Sequence, residues 1–118
     1  MNPPSVPAIE HHESASLRIQ PCGCLLVTDR ALTRVVQGSD TVEAYLGVSV
    51  TEALDSAPSR LLGQRVVARI RKELSTLERL NGPTSIIRKT GDRQRRLQVN
   101  AFRSGDWVVI EIEPVVAL

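Results

Sequence analysis

Residues 1–16 hold few apolar positions that could pack. Pro3, Pro4, Pro7, His11 and His12 stand out, and the segment reads as a flexible N-terminal lead. Residues 17–23 are a transition containing the breakers Pro21 and Gly23. A β-rich run follows at residues 24–28 (Cys-Leu-Leu-Val-Thr), closed by Asp29-Arg30. A second occupies residues 32–37, with Val35 and Val36, and ends at Gly38. Two such runs separated by a few polar residues predict a hairpin. Ser39 or Asp40 can cap a short helix that runs through Tyr45 and Leu46 and stops at Gly47. Residues 48–54 suit another helical turn with Thr51 as cap, and Pro58-Ser59 suits a helix start.

The clearest helical period covers residues 59–80. Leu62, Val66, Ile70, Leu74 and Leu77 recur at spacings of three and four, and Arg65, Arg69, Lys72, Glu73, Thr76 and Arg79 fall mostly on other faces. Asn81-Gly82-Pro83 ends that helix. Beyond it the period changes to two. Residues 84–89 are β-branched and Gly91-Asp92 make a turn. Residues 95–103 place Leu97, Val99 and Ala101 opposite Gln98, Asn100 and Phe102. After Ser104-Gly105-Asp106, residues 107–114 place Val108, Ile110 and Ile112 opposite Glu111 and Glu113. The expected order is β-β-α-α-α-β-β-β. It predicts an α+β domain: a five-stranded antiparallel sheet whose last three strands form a meander, with the helices packed on one face.

Composition leaves this picture intact. A chain of 118 residues fits one domain and can bury a core without disulfide or metal staples. A net charge of +2 does not call for nucleic acid, and neither does an aromatic set of Tyr45, Phe102 and Trp107. Nothing approaches the roughly 20 apolar residues of a membrane helix, and residues 1–16 show no signal peptide, so a cytoplasmic location is expected.

Candidate chemistry is sparse. His11 and His12 point apart on an extended chain, and no Cys or His cluster completes a metal site with them. Cys22 and Cys24 read as two half-buried thiols in a reducing compartment; the redox pattern would need two intervening residues and a helix N-terminus. Arg88, Lys89, Arg93, Arg95 and Arg96 cluster around a turn, and Arg65, Arg69, Arg71 and Lys72 lie on the helix. Solvated edges that block aggregation are the expected reading, with contact to a partner or a nucleic acid as the alternative. Glu111 and Glu113 share a strand face, with arginines of the neighbouring strand as expected partners. No Ser–His–Asp set, P-loop or dinucleotide fingerprint occurs, and no enzyme activity is expected.

The segment Leu17-Arg18-Ile19-Gln20-Pro21-Cys22-Gly23-Cys24-Leu25-Leu26-Val27 resembles the opening of the N-terminal PAS domain of bacterial phytochromes, where I-Q-P-H-G precedes an apolar strand. Residues 39–47, ending Tyr45-Leu46-Gly47, resemble that domain's short helix. The long helix and the meander ending Val109-Ile110-Glu111-Ile112-Glu113-Pro114 are similar to its close. The resemblance covers about residues 17–115 and places a PAS-like domain at residues 17–118. It implies a PAS fold, sensory signalling and self-association, within a two-component or cyclic-dinucleotide protein.

Two departures bear on cofactors. The family attaches biliverdin to a cysteine upstream of I-Q-P, a spacing that falls near Ala8, and this chain has no cysteine before Cys22. Cys22 stands where the family has histidine. It is the candidate thiol site, but the attachment role is not carried to it. The family's bilin pocket also belongs mainly to a following GAF domain. No cofactor is therefore expected, biliverdin included. The expected function is an interaction or regulatory module, with a small-molecule receptor or a basic nucleic-acid-binding domain as alternatives. The candidate interaction surface is the row Leu25, Val27, Phe102, Trp107 and Val109, which alternates with the core set on the sheet's outer side. A homodimer partner or an adjacent signalling domain would cover it; the alternative is that the chain's own N-terminal lead covers it and the domain is a monomer.

Overall fold

The computed structural model describes residues 23–115. The first hairpin pairs β1 (Cys24–Asp29) with β2 (Val35–Gly38). Its turn is built around Asp29, whose carboxylate accepts the backbone N–H of Thr33 at 2.7 Å and of Arg34 at 3.1 Å, as well as the Thr33 hydroxyl. Burial opposes the charge on Asp29, but these hydrogen bonds outweigh it and hold the carboxyl below its ordinary range. Four helices follow: α1 (Val42–Leu46), α2 (Val50–Ala53), α3 (Pro58–Leu62) and α4 (Gln64–Leu74). The chain closes with the meander β3 (Thr84–Thr90), β4 (Arg93–Ser104) and β5 (Trp107–Pro114).

The strands form one five-stranded antiparallel sheet in the order β2-β1-β5-β4-β3. β5 lies at its centre, paired with β1 and β4, so the chain's first and last strands are neighbours. The alternation expected for β4 and β5 is present: Leu97, Val99, Ala101, Val108, Ile110 and Ile112 are all buried. Val42, Tyr45 and Leu46 of α1, Leu61 and Leu62 of α3, and Val66, Val67, Ile70 and Leu74 of α4 join them in one core cluster. No helical residue enters the cluster on the opposite face, so the helices occupy one side of the sheet. Full burial of an Ile or Leu such as Ile110 contributes roughly 1.5–3 kcal/mol.

Three sequence expectations need correction. The single helix over 59–80 is two helices joined at Gly63, where φ is 92° and ψ 151°, and helix ends at Leu74. The apolar period runs through the break because both helices pack on the same core. Leu77 therefore lies outside any helix and is 43% exposed, while Leu80 is buried beside the sheet. The second strand begins at Val35, because Leu32 sits in the turn with a positive φ of 60°. The caps also move. α1 is preceded by Thr41 with no side-chain cap. α2 is capped by Ser49, whose hydroxyl accepts the Glu52 N–H, so Thr51 lies inside it. Gly47 ends α1 as expected, in the left-handed conformation (φ 79°) that lets its N–H reach the carbonyl of Glu43.

Candidate interaction surface

The outer face of the sheet follows from strand register. Val27 of β1 stands opposite Val109 of β5, and Val109 stands opposite Phe102 of β4, so three apolar side chains cross the sheet in one row. One step along, Asp29, Trp107 and Ser104 form a second row. One step the other way, Leu25, Glu111 and Asn100 form a third. Val27, Trp107 and Val109 are the buried floor of a second apolar cluster, and Leu25, Val36 and Phe102 stand half-buried around it. The structure thus brings together all five residues singled out from the sequence and adds Val36. Val36, absent from the row read from the sequence, is the residue left without a cross-strand partner where the β1–β2 register shifts between Val27 and Thr28. Arg79 was also missed. It bridges to Phe102 and holds its guanidinium 5.3 Å from the Phe102 ring.

Glu111 lies inside this face. Burial raises its carboxyl above the ordinary value, repulsion from Glu113 adds to that, and Arg79 offsets part of it. Its cross-strand neighbours are Leu25 and Asn100, and Gln98 stands opposite Glu113. The arginine partners expected from the sequence are not there, because the basic run of β4 ends at Arg96, before that register is reached.

A family model described as PAS fold matches residues 12–115. The chain belongs to the PAS family. Solved structures agree. The chromophore-binding domain of an unusual bacteriophytochrome from R. palustris superposes with a TM-score of 0.65 at 23% identity, over 83% of this chain and 31% of that one. The wild-type photosensory core module of the Stigmatella aurantiaca phytochrome gives a TM-score of 0.64 at 22% identity, over 83% of this chain and 20% of that one. At these identities the likeness is one of fold, and the chain spans a fifth to a third of those proteins. No curated protein matches.

The rest of this PAS domain shows where its reactive and charged groups go. Cys22, His11 and His12 lie outside the described residues. Cys24 is buried rather than half-buried. Burial pushes its thiol up to about 11, against a smaller downward pull from hydrogen bonds with Ser39 and Thr41. Such a thiol stays protonated at neutral pH and is a poor nucleophile. Among the described residues no three of His, Cys, Asp and Glu are grouped to hold a metal, and no helix is long and apolar enough to cross a membrane.

Several arginines are tied into the fold one by one. Arg69 binds Glu73 at 2.7 Å and donates to the carbonyls of Asn81, Gly82 and Pro83. Arg71 donates to the carbonyls of Ala31 and Leu32. Arg88 donates from Nε to the Leu61 carbonyl at 2.9 Å, and Arg95 lies 5.4 Å from the Tyr45 ring. These cations hold loops and helix ends in place. Between helices and sheet, Leu26, Leu62, Ile70, Leu97, Ile110 and Ile112 are buried nearly completely.

Proposed function

We propose that this PAS domain is a cytoplasmic sensory-signalling module that works by protein contact, with the outer face of its sheet as the contact surface and a second copy of the chain as first partner. The observation carrying this reading is the second apolar cluster, built of Leu25, Val27, Val36, Phe102, Trp107 and Val109 on the face that carries no helix. Its half-buried rim of Leu25, Val36 and Phe102 is where a partner would make first contact. A two-fold arrangement would set two such faces against each other, the self-complementary geometry of most homodimers.

In this reading the domain carries no covalent bilin. The neighbours' chromophore-binding role belongs to chains several times longer. Cys24, buried and protonated, is unsuited to attachment. The domain would regulate an enzyme or chromophore domain elsewhere in a larger assembly, without catalysis of its own. Light scattering over a concentration series tests the contact. The chain should pass from monomer to dimer at tens of micromolar, and a folded Phe102→Glu variant should stay monomeric. A monomer throughout for the parent chain, or unchanged dimerisation in the variant, would overturn the reading.

A further inference from the structure

The sheet has two edges, and they differ. At β2 the backbone of Val35 is already engaged, its N–H bonded to the Ser56 carbonyl and its carbonyl to the Asp55 N–H. At the other edge β3 pairs with β4 alone, and among the described residues no strand bonds its far side; the Ile87 carbonyl accepts only a side chain, the Arg88 guanidinium at 2.9 Å, which also reaches the Leu61 carbonyl. A cleft of about 420 Å³ runs there between β3 and the α3–α4 junction. Ser85, Ile86, Ile87 and Arg88 all line it. Consecutive strand residues point to opposite faces, so a cleft touching all four lies along the strand's edge. Arg65 of α4 lines the helical wall, and Arg96, the cross-strand partner of Ile87, lines the sheet wall.

Charge is concentrated at this edge. Between residues 84 and 96 stand Arg88, Lys89, Arg93, Arg95 and Arg96 against Asp92 alone, whereas the whole chain has only 15 cations to 13 anions. Arg65 and Arg96 are exposed and enter no ion pair among the described residues. In the middle of the basic rim sits Ile87, 50% exposed. An edge guarded only against aggregation would carry charge there.

We propose that this groove binds an extended acidic segment of a partner protein, which adds as a strand to β3. The partner's backbone would bond the outer edge of β3, taking the place of the Arg88 guanidinium at the Ile87 carbonyl, one apolar side chain would cover Ile87, and its carboxylates would meet Arg65 and Arg96. A second copy of this chain is disfavoured as occupant, because it would bring the same five cations against themselves. A nucleic acid is disfavoured because the groove offers an aliphatic anchor and a backbone edge but no ring on which a base could stack. This surface is separate from the outer face, so the two proposals stand or fall independently.

The test uses a short fluorescein-labelled peptide of alternating glutamate and valine, read by anisotropy against the full chain. Saturable binding that weakens with salt is expected, with amide shifts in ¹⁵N spectra confined to residues 63–66, 84–90 and 95–97. The doubly reversed Arg65→Glu/Arg96→Glu variant should lose roughly tenfold or more in affinity. Ile87→Thr, a milder change at an exposed position, should weaken binding with the fold intact by circular dichroism. Three outcomes would overturn the proposal: no binding at millimolar peptide, amide shifts elsewhere on the chain, or equal competition by a single-stranded oligonucleotide.

Discussion

Replacing Gly63 by alanine sets two readings of the chain against each other. If residues 59–80 formed one helix, as their apolar period suggests, the change would remove a glycine from a helix interior and stabilise the domain by up to about 1 kcal/mol. In the structure Gly63 joins α3 to α4 at φ 92° and ψ 151°, a region that only glycine occupies without strain. A Cβ there would meet no atom within 4 Å, so the cost is purely one of backbone conformation. That cost is about 1–3 kcal/mol, offset by about 0.4–1 kcal/mol from the stiffer unfolded chain. A net loss of about 0–2.6 kcal/mol follows, centred on about 1.3 kcal/mol, and at about 4–8 °C per kcal/mol the central value is readily resolved in a melt. Urea unfolding of the two chains side by side measures it. A midpoint that is higher in Gly63→Ala would refute the break at Gly63 and restore the continuous helix.

Other consequences follow from the core and the titrating groups. Ile110 is fully buried, between Leu26 and the small Ala101, and Ile110→Ala should cost about 2–5 kcal/mol in urea unfolding. The Cys24 thiol, raised to about 11 from 9.0, favours folding fully below pH 9, and that stability is lost as pH rises from 9 towards 11. A Cys24→Ala variant should show a flatter decline over that window, and the thiol should resist alkylation at neutral pH until the chain is unfolded. Glu111 is raised above 4.5 by burial and by Glu113, so its charged form weighs against folding at neutral pH and its protonated form does not. Glu111→Gln should raise the urea midpoint at pH 7, with the gain shrinking as pH falls towards 4.

The sheet was readable in the sequence because strands with one face on a core show strict alternation. Leu97/Val99/Ala101 and Val108/Ile110/Ile112 give away both their strands and their inner face. The outer row of Leu25, Val27, Phe102, Trp107 and Val109 follows from the same period, and strand register then sets Val27, Val109 and Phe102 in line. The helix break was hidden, because apolar spacing reports which side faces the core and is blind to a change of axis between two helices sharing it. Leu32 was misplaced and Val36 left out of the outer row for a related reason: a turn around Asp29 and a shifted register each move one residue out of phase, a change no local pattern marks. Arginines were the least legible, since Arg69, Arg71 and Arg88 bind carbonyls 12 to 40 positions away.

The outer sheet face as contact surface is tested most directly by isotope-filtered NOE spectroscopy on a mixture of ¹³C-labelled and unlabelled chains at a concentration where the dimer prevails. Intermolecular NOEs should link the Leu25 and Val36 methyl groups and the Phe102 ring of one copy to the same set on the other. Intermolecular NOEs that arise only from other surfaces, or none at all at that concentration, would contradict the account.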